Sequence, residues 1–279
     1  MARIKPIDSM MRSDNKFIHN FGHYCASLLK YRHMMVGLVK KEFKGKFRSS
    51  MLGYLWHIIS PLLMIIVYLI IFSYVFGRGI PNYWAYMTTG MFVFTFVSSC
   101  MNGGSTTITG NSGMITKMSF PYEILVFARV ISNFITLIIS YSILTLMLAL
   151  FDVNFGWNYL WVPVLFIIVF FFATGLALIL SSLNVYYRDI SQLVGIMMMP
   201  LMFATPICYM KSQMGSGIIE MLWGINPLMY FIDCFHSVAY FGIGPDVTYL
   251  LICMSLAAIF FIVGLITFRK LETGFAEKL

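Results

Sequence analysis

The sequence predicts an all-α integral membrane protein. It has six transmembrane helices, an amphipathic interface helix ahead of the first, and re-entrant helices between the fifth and sixth. Three observations predict it. The 279 residues are 59% hydrophobic and 11% charged, against roughly 45–50% and 25% in soluble domains. The apolar residues gather into stretches of about 20, the length a helix needs to cross a ~30 Å hydrocarbon core. The Lys and Arg residues fall almost entirely on alternate sides of those stretches.

The six stretches are 54–76, 83–108, 124–150, 159–183, 192–210 and 247–268. Tyr83, Trp84 and Tyr86 open the second, and Trp157, Tyr159 and Trp161 the fourth, where amphipathic rings mark a membrane interface. With the N-terminus in the cytoplasm, 17 of the 19 Lys and Arg lie inside and only Arg78 and Lys211 outside. The positive-inside rule then places both termini in the cytoplasm. The long, charged N-terminus does not read as a cleavable leader.

Residues 211–246 are too long for a turn and too apolar for an ordinary loop. Gly215, Gly217, Gly224, Pro227 and Gly242 divide them into two short helical segments, 218–225 and 228–240. Backbone that dips into a bilayer without crossing it must be sheltered by protein or line a cavity. The alternative is a seventh span, which puts the C-terminus outside. Two parts follow: an N-terminal arm, residues 1–52, and one transmembrane domain, residues 53–279.

The arm accounts for the formal charge of +8, with eleven Lys and Arg against Asp8, Asp14 and Glu42. A basic excess confined to one arm beside a membrane protein reads as topology and lipid headgroup contact, not nucleic-acid binding. Within it Met35, Val39, Phe43 and Phe47 recur every four residues, one apolar stripe of a helix. Lys40, Lys41, Lys44, Lys46 and Arg48 fill much of the rest. Such a helix lies in the interface with its cationic stems reaching the headgroups. Plain anchoring and the holding of an anionic lipid-linked substrate are both compatible with it.

Energy-transducing machinery is missing from the pattern. Arg129 is the one formal charge inside the six stretches, and no Asp or Glu lies within them. Ion-coupled transporters usually carry intramembrane ionisable groups or broken-helix ion sites. Gly45-Lys46 is followed by Phe47, not Ser or Thr, so it is no P-loop. The five histidines, including His57 and His236, form no zincin pattern. Asp233 and His236 share a helical face as a polar pair. The scattered cysteines (25, 100, 208, 234 and 253) lack metal-site spacing. We therefore expect no catalytic residue, no metal site and no cofactor in this chain, and uphill transport would need a separate energy-supplying subunit.

Several sequence words occur together in order. They are Arg48-Ser-Ser-Met-Leu-Gly-Tyr-Leu-Trp56 with Pro61 and Ile70-Ile-Phe-Ser-Tyr-Val-Phe76, Asn111-Ser-Gly-Met-Ile-Thr-Lys-Met-Ser-Phe-Pro121, Leu183-Asn-Val-Tyr-Tyr-Arg-Asp-Ile190, Thr205-Pro-Ile-Cys-Tyr209, Asn226-Pro227 and Arg269-Lys-Leu-Glu272. Each is weak alone. Jointly, from about residue 30 to the end, they resemble ABC-2 type polysaccharide exporter permeases, a family that includes the membrane subunits of O-antigen and teichoic-acid exporters. Residues before about 30 match no family pattern.

The resemblance implies the permease half of an ATP-driven exporter of lipid-linked polysaccharide in a bacterial inner membrane. Two copies would form the channel, and two copies of a cytoplasmic ABC ATPase would carry the ATP and Mg. The arm helix would rest partly on the ATPase, and Leu52-Gly53 would be the gating loop into the first span. Residues 111–121 would be a coupling helix seated in an ATPase groove, and 211–246 would form gate helices at the outer mouth.

The residues fit those roles. Met114, Ile115 and Phe120 offer apolar knobs, with Lys117 and Pro121 beside them, although a plain connecting loop would read similarly. Arg188 and Asp189 supply either a second ATPase contact or an internal ion pair. Gly53 offers a joint where a surface helix turns into a spanning one, and Pro61, Pro200 and Pro206 would kink helices that open. Aromatic faces bind the C–H faces of sugars, which nominates Tyr68, Phe72, Phe203 and Tyr209 as channel residues. Lys44, Lys46 and Arg48 are nearest to the place a carrier pyrophosphate would occupy. Export of drugs or small lipids by the same architecture, and a membrane-embedded enzyme of glycan assembly, are the competing readings.

Overall fold

A computed structural model describes residues 30–45, 52–67, 70, 81–118, 120–151, 153, 156–210, 224 and 226–279. Among them every regular element is helical. In chain order these are α1 (Arg32–Gly45), α2 (Trp56–Val67), α3 (Tyr83–Ser105), α4 (Thr107–Gly110), α5 (Ser112–Ile115), α6 (Glu123–Leu150), α7 (Val162–Tyr186), α8 (Asp189–Phe203), α9 (Pro227–Ala239), α10 (Val247–Glu272) and α11 (Phe275–Lys278).

Among the described residues, three helical segments are long and apolar enough to cross a membrane on their own: α6, the continuous stretch Trp157–Tyr186 ending in α7, and α10. The other expected spans look different. Helix α3 has 23 residues, about 34 Å at 1.5 Å per residue, yet it carries Thr88, Thr89, Asn102 and several serines. Its neighbours explain this. Helices α6, α7, α8 and α9 pack around α3 and bury most of it, so its surface is solvated by protein, not lipid. Its hydroxyls bond back along the helix, Thr88 to Trp84 O at 2.5 Å and Thr89 to Ala85 O at 2.8 Å, which satisfies these two buried donors.

The fifth expected span, 192–210, is shorter in the structure. Helix α8 ends at Phe203, because Pro206 has no N–H for the Met202 carbonyl and its ring blocks continuation. The chain beyond turns inward. Tyr86 donates to both Pro206 O and Tyr209 O at 3.1 Å, and Tyr83 donates to Cys208 O. Of the first span, 54–76, only residues 54–67 and Ile70 fall within the described residues. Of the first re-entrant segment, 218–225, only Gly224 does. Over the second, 228–240, the chain forms α9, a 13-residue helix opened by the Asn226 side chain accepting from Leu228 N at 3.0 Å and by Pro227 in its first turn. Nine of its residues are buried.

The tightest packing joins α7 and α10. A Cβ on Gly175 would lie 2.4 Å from the Phe260 carbonyl, and one on Gly264 would lie 2.6 Å from the Gly175 carbonyl. Small residues at such a crossing let backbones touch, and dispersion replaces the hydrophobic drive that lipid does not supply. Aromatic rings fill the remaining core. Phe172 stands 4.6 Å from Phe231 and 5.3 Å from Phe260, and Tyr141 is 5.1 Å from Phe166, centroid to centroid.

Candidate functional site

The chemistry-bearing residues converge at the end of the bundle where α1, α4, α5 and the start of α6 meet. Helix α1 lies against α6. Of its expected stripe, Met35 and Val39 pack on the core and Phe43 is half-buried, while Leu38, between them, is the buried residue. Phe47, Lys46 and Arg48 fall outside the described residues. Lys40, Lys41 and Lys44 are exposed, as a headgroup-facing row requires.

Three consecutive residues of α1 reach three different elements. Lys41 Nζ donates to Asn111 Oδ1 at 3.2 Å, at the joint of α4 and α5. Glu42 forms an ion pair with Arg129 of α6. Phe43 stacks on His57 of α2 with centroids 3.8 Å apart and planes 5° from parallel, and His57 Nε2 lies 3.4 Å from Phe43 O. The carbonyl only accepts, so the proton sits on Nε2. Sequence reasoning missed this set, although two signals were present. Glu42 is the one acid in the arm's cationic run, and Arg129 is the one charge in the spans. A charge at that depth requires a counter-charge.

Between α1 and α2, Gly53 has φ +46° with open space where a side chain would be. That left-handed backbone favours glycine and stands at the start of the 3-10 turn Gly53–Leu55 that leads into α2. Leu52 beside it is exposed.

The segment 107–122 is built as two short turns, α4 and α5, and a bend. Its apolar residues divide differently from expectation. Ile115 and Phe120 do not project: they are 3% and 6% exposed, drawn into the chain's own core by the short turns and the bend at Phe120. Phe120 meets Tyr122 edge-on at 5.3 Å, and Tyr122 stacks on Phe275. Met114 is half-buried, as is Pro121. The outward residues are Gly113, Thr116, Lys117 and Met118, with Met118 54% exposed. Met118 is thus the apolar side chain of this segment that faces outward, a residue that the sequence pattern alone did not separate from its neighbours.

The ends of α6 and α10 lock this segment in place. Tyr122 N donates to Glu272 Oε1 at 3.4 Å, Arg269 Nε lies 3.5 Å from Glu123 Oε1, and Tyr186 OH donates to Leu271 O at 2.9 Å. Burial, and then the Glu272 carboxylate, push the Tyr122 phenol above its ordinary value, so it stays a protonated, neutral ring. Arg188 and Asp189, at the α7–α8 turn, are both exposed. Asn184 Oδ1 holds that turn by accepting from Ser191 N at 3.0 Å.

The expected channel aromatics are only partly described. Tyr68 and Phe72 lie outside the described residues. Phe203 is exposed at the end of α8, and Tyr209 folds back over it, its hydroxyl donating to Phe203 O at 2.6 Å. His236 is buried and stacks on Tyr86 at 3.9 Å with Nε2 3.0 Å from Tyr86 O. It fastens α9 to α3 from the inside.

Comparison with known proteins places this geometry. The ABC-2 type transporter family pattern matches residues 35–240, which contain every contact of the α1 set. The chain is 28% identical over 257 residues to an O-antigen export system permease protein, RfbA, of Myxococcus xanthus, covering 90% of this chain and 97% of that one. It is 29% identical over 247 residues to an RfbA of Klebsiella pneumoniae, covering 88% and 95%. It is 23% identical over 245 residues to the polysialic acid transport protein KpsM of Escherichia coli, covering 84% and 92%. With most of its length inside the family pattern, the chain belongs to the ABC-2 type transporter membrane family.

Proposed function

We propose that this chain is the permease subunit of an ATP-driven exporter that moves a lipid-linked cell-surface polysaccharide, such as an O-antigen or teichoic acid, across the bacterial inner membrane. The observation that carries the proposal is its near end-to-end likeness to proteins named as O-antigen export permeases. The charge pattern supports six spans with both termini cytoplasmic. In the proposed assembly two copies enclose the path, and two ATPase subunits beneath them bind ATP and Mg.

The mechanism follows from the contacts at the α1 end. ATPase closure pushes on the exposed Thr116–Met118 tip. Ile115 and Phe120 anchor that tip, so the segment moves as a body. Asn111 passes the displacement to Lys41, and α1 passes it through Glu42 to Arg129 and through Phe43 to His57. Helix α2, hinged at Gly53 and weakened at Pro61, then shifts at the channel wall. Lys44, Lys46 and Arg48 hold the carrier's pyrophosphate near the entry by charge-assisted hydrogen bonds. Tyr68, Phe72, Phe203 and Tyr209 offer aromatic faces to passing sugar rings.

The test is reconstitution of the chain with a partner ABC ATPase. Lipid-linked polysaccharide should stimulate ATP hydrolysis and appear on the far side of the vesicle. Turnover of nucleotide by the chain alone, or stimulation by drugs but not by glycan, overturns the reading.

A further inference from the structure

A cavity of about 610 Å³ opens on the flank of the bundle, in the size range of small-molecule sites. It lies between the C-terminal half of α6 and the 3-10 turn Trp157–Trp161 that leads into α7. Nothing in the transport reading uses it. Four hydroxyl groups line it, and all four are engaged by the protein. Tyr141 donates to Thr89 O at 2.9 Å and Ser142 to Ile138 O at 2.8 Å. Thr145 bonds Tyr141 O at 2.7 Å and shares a bond with the Tyr159 hydroxyl. What the walls offer is C–H surface and the rings of Tyr141 and Phe166, which meet edge-to-face. A polar ligand would lose its water and gain few partners. A hydrocarbon chain fits.

The surroundings identify where that chain comes from. Leu160 in the cavity lining is exposed, as are Leu146, Leu150 and Ile167 on the same helical segments, which are apolar enough to cross a membrane. The cavity is therefore continuous with a surface that meets lipid. Trp157 at its rim is 89% exposed, the position of an indole at headgroup level. No Lys or Arg occurs between Arg129 and Arg188, and Asp152 is the only formal charge there. None of the residues lining the cavity carries a charge, so a carrier diphosphate, or an anionic phospholipid, finds no cation among them.

We propose that this cavity seats one acyl chain of a phosphatidylethanolamine molecule, whose zwitterionic headgroup lies beside Trp157. The site stands on the cavity and the charge pattern. On the proposed topology it lies in the outer leaflet, and only that assignment rests on the export reading.

Gly156 supplies the test. Its backbone is extended, with φ −139° and ψ 179°, and no atom lies within 4 Å of a Cβ built there. Gly156→Trp therefore plugs the mouth without straining the fold, and Ser142→Phe fills the cavity from α6. Native mass spectrometry of the full chain, delipidated and then exposed to phosphatidylethanolamine or phosphatidylglycerol vesicles, reads occupancy. The wild-type chain should retain one phosphatidylethanolamine, and its Tm should rise with that lipid. Both variants should lose the retained lipid and the lipid-dependent rise while keeping the lipid-free Tm. Equal retention by all three chains, preference for phosphatidylglycerol, or a Ser142→Cys cross-link between two copies would overturn the proposal. No ATPase or glycan enters the experiment, so its failure leaves the export reading untouched.

Discussion

Arg129 shows how a single residue ties the arm to the membrane domain. Its guanidinium lies within reach of hydrocarbon, where an isolated charge is expensive, and Glu42 neutralises it. The pair is only partly exposed, so its loss should cost on the order of 1–3 kcal/mol, between exposed and fully buried pairs. Glu42→Gln keeps the shape and removes the charge. We expect it to lower the Tm, and to reduce glycan-stimulated ATPase activity further than the loss of stability accounts for. An unchanged coupling ratio would sink the relay through α1. Both charges were conspicuous in the sequence, one among lysines and one among apolar residues. Their pairing was not, because 87 positions separate them and only the docking of α1 on α6 brings them together.

At the scale of the element, the segment 107–122 separates two kinds of apolar residue that spacing cannot distinguish. In so short a run, burial is set by which turns form and what they fold against, not by a period of 3.6 or 2. The two kinds respond oppositely to the same change. Phe120→Asp places a carboxylate in the core and should destabilise the chain by about 3 kcal/mol or more, seen as a large fall in Tm. Met118→Asp changes an exposed side chain, so the Tm should hold while ATPase binding and export fall. If Met118→Asp supports normal export, the segment is not the ATPase contact. Helix α8 carries the same lesson. Hydropathy runs on through residue 210, but Pro206 and the tyrosines of α3 end the helix at Phe203. No window of composition contains that interaction across about 120 positions.

For the whole molecule, the exposed apolar residues raise the question of what covers them. Leu193, Ile196, Met197, Met199 and Phe203 of α8 are each more than half exposed. Under the proposed assembly a second copy covers part of this surface. Cysteine at Met199 should then cross-link two copies through a short bifunctional maleimide, above the background of the wild-type chain. Cross-linking at Ile259 of α10, also exposed, with none at Met199, would place the copies elsewhere.

Membrane class, the three long apolar helices and the basic arm were legible from composition and hydropathy, because a bilayer demands long apolar stretches and a one-sided placement of cations wherever the chain folds. Which polar helix hides among the others, where α8 stops, which residues of a short loop turn outward, and which acid answers Arg129 all depend on contacts between segments far apart in the chain. Those contacts exist only once the helices have packed, and local pattern carries no record of them.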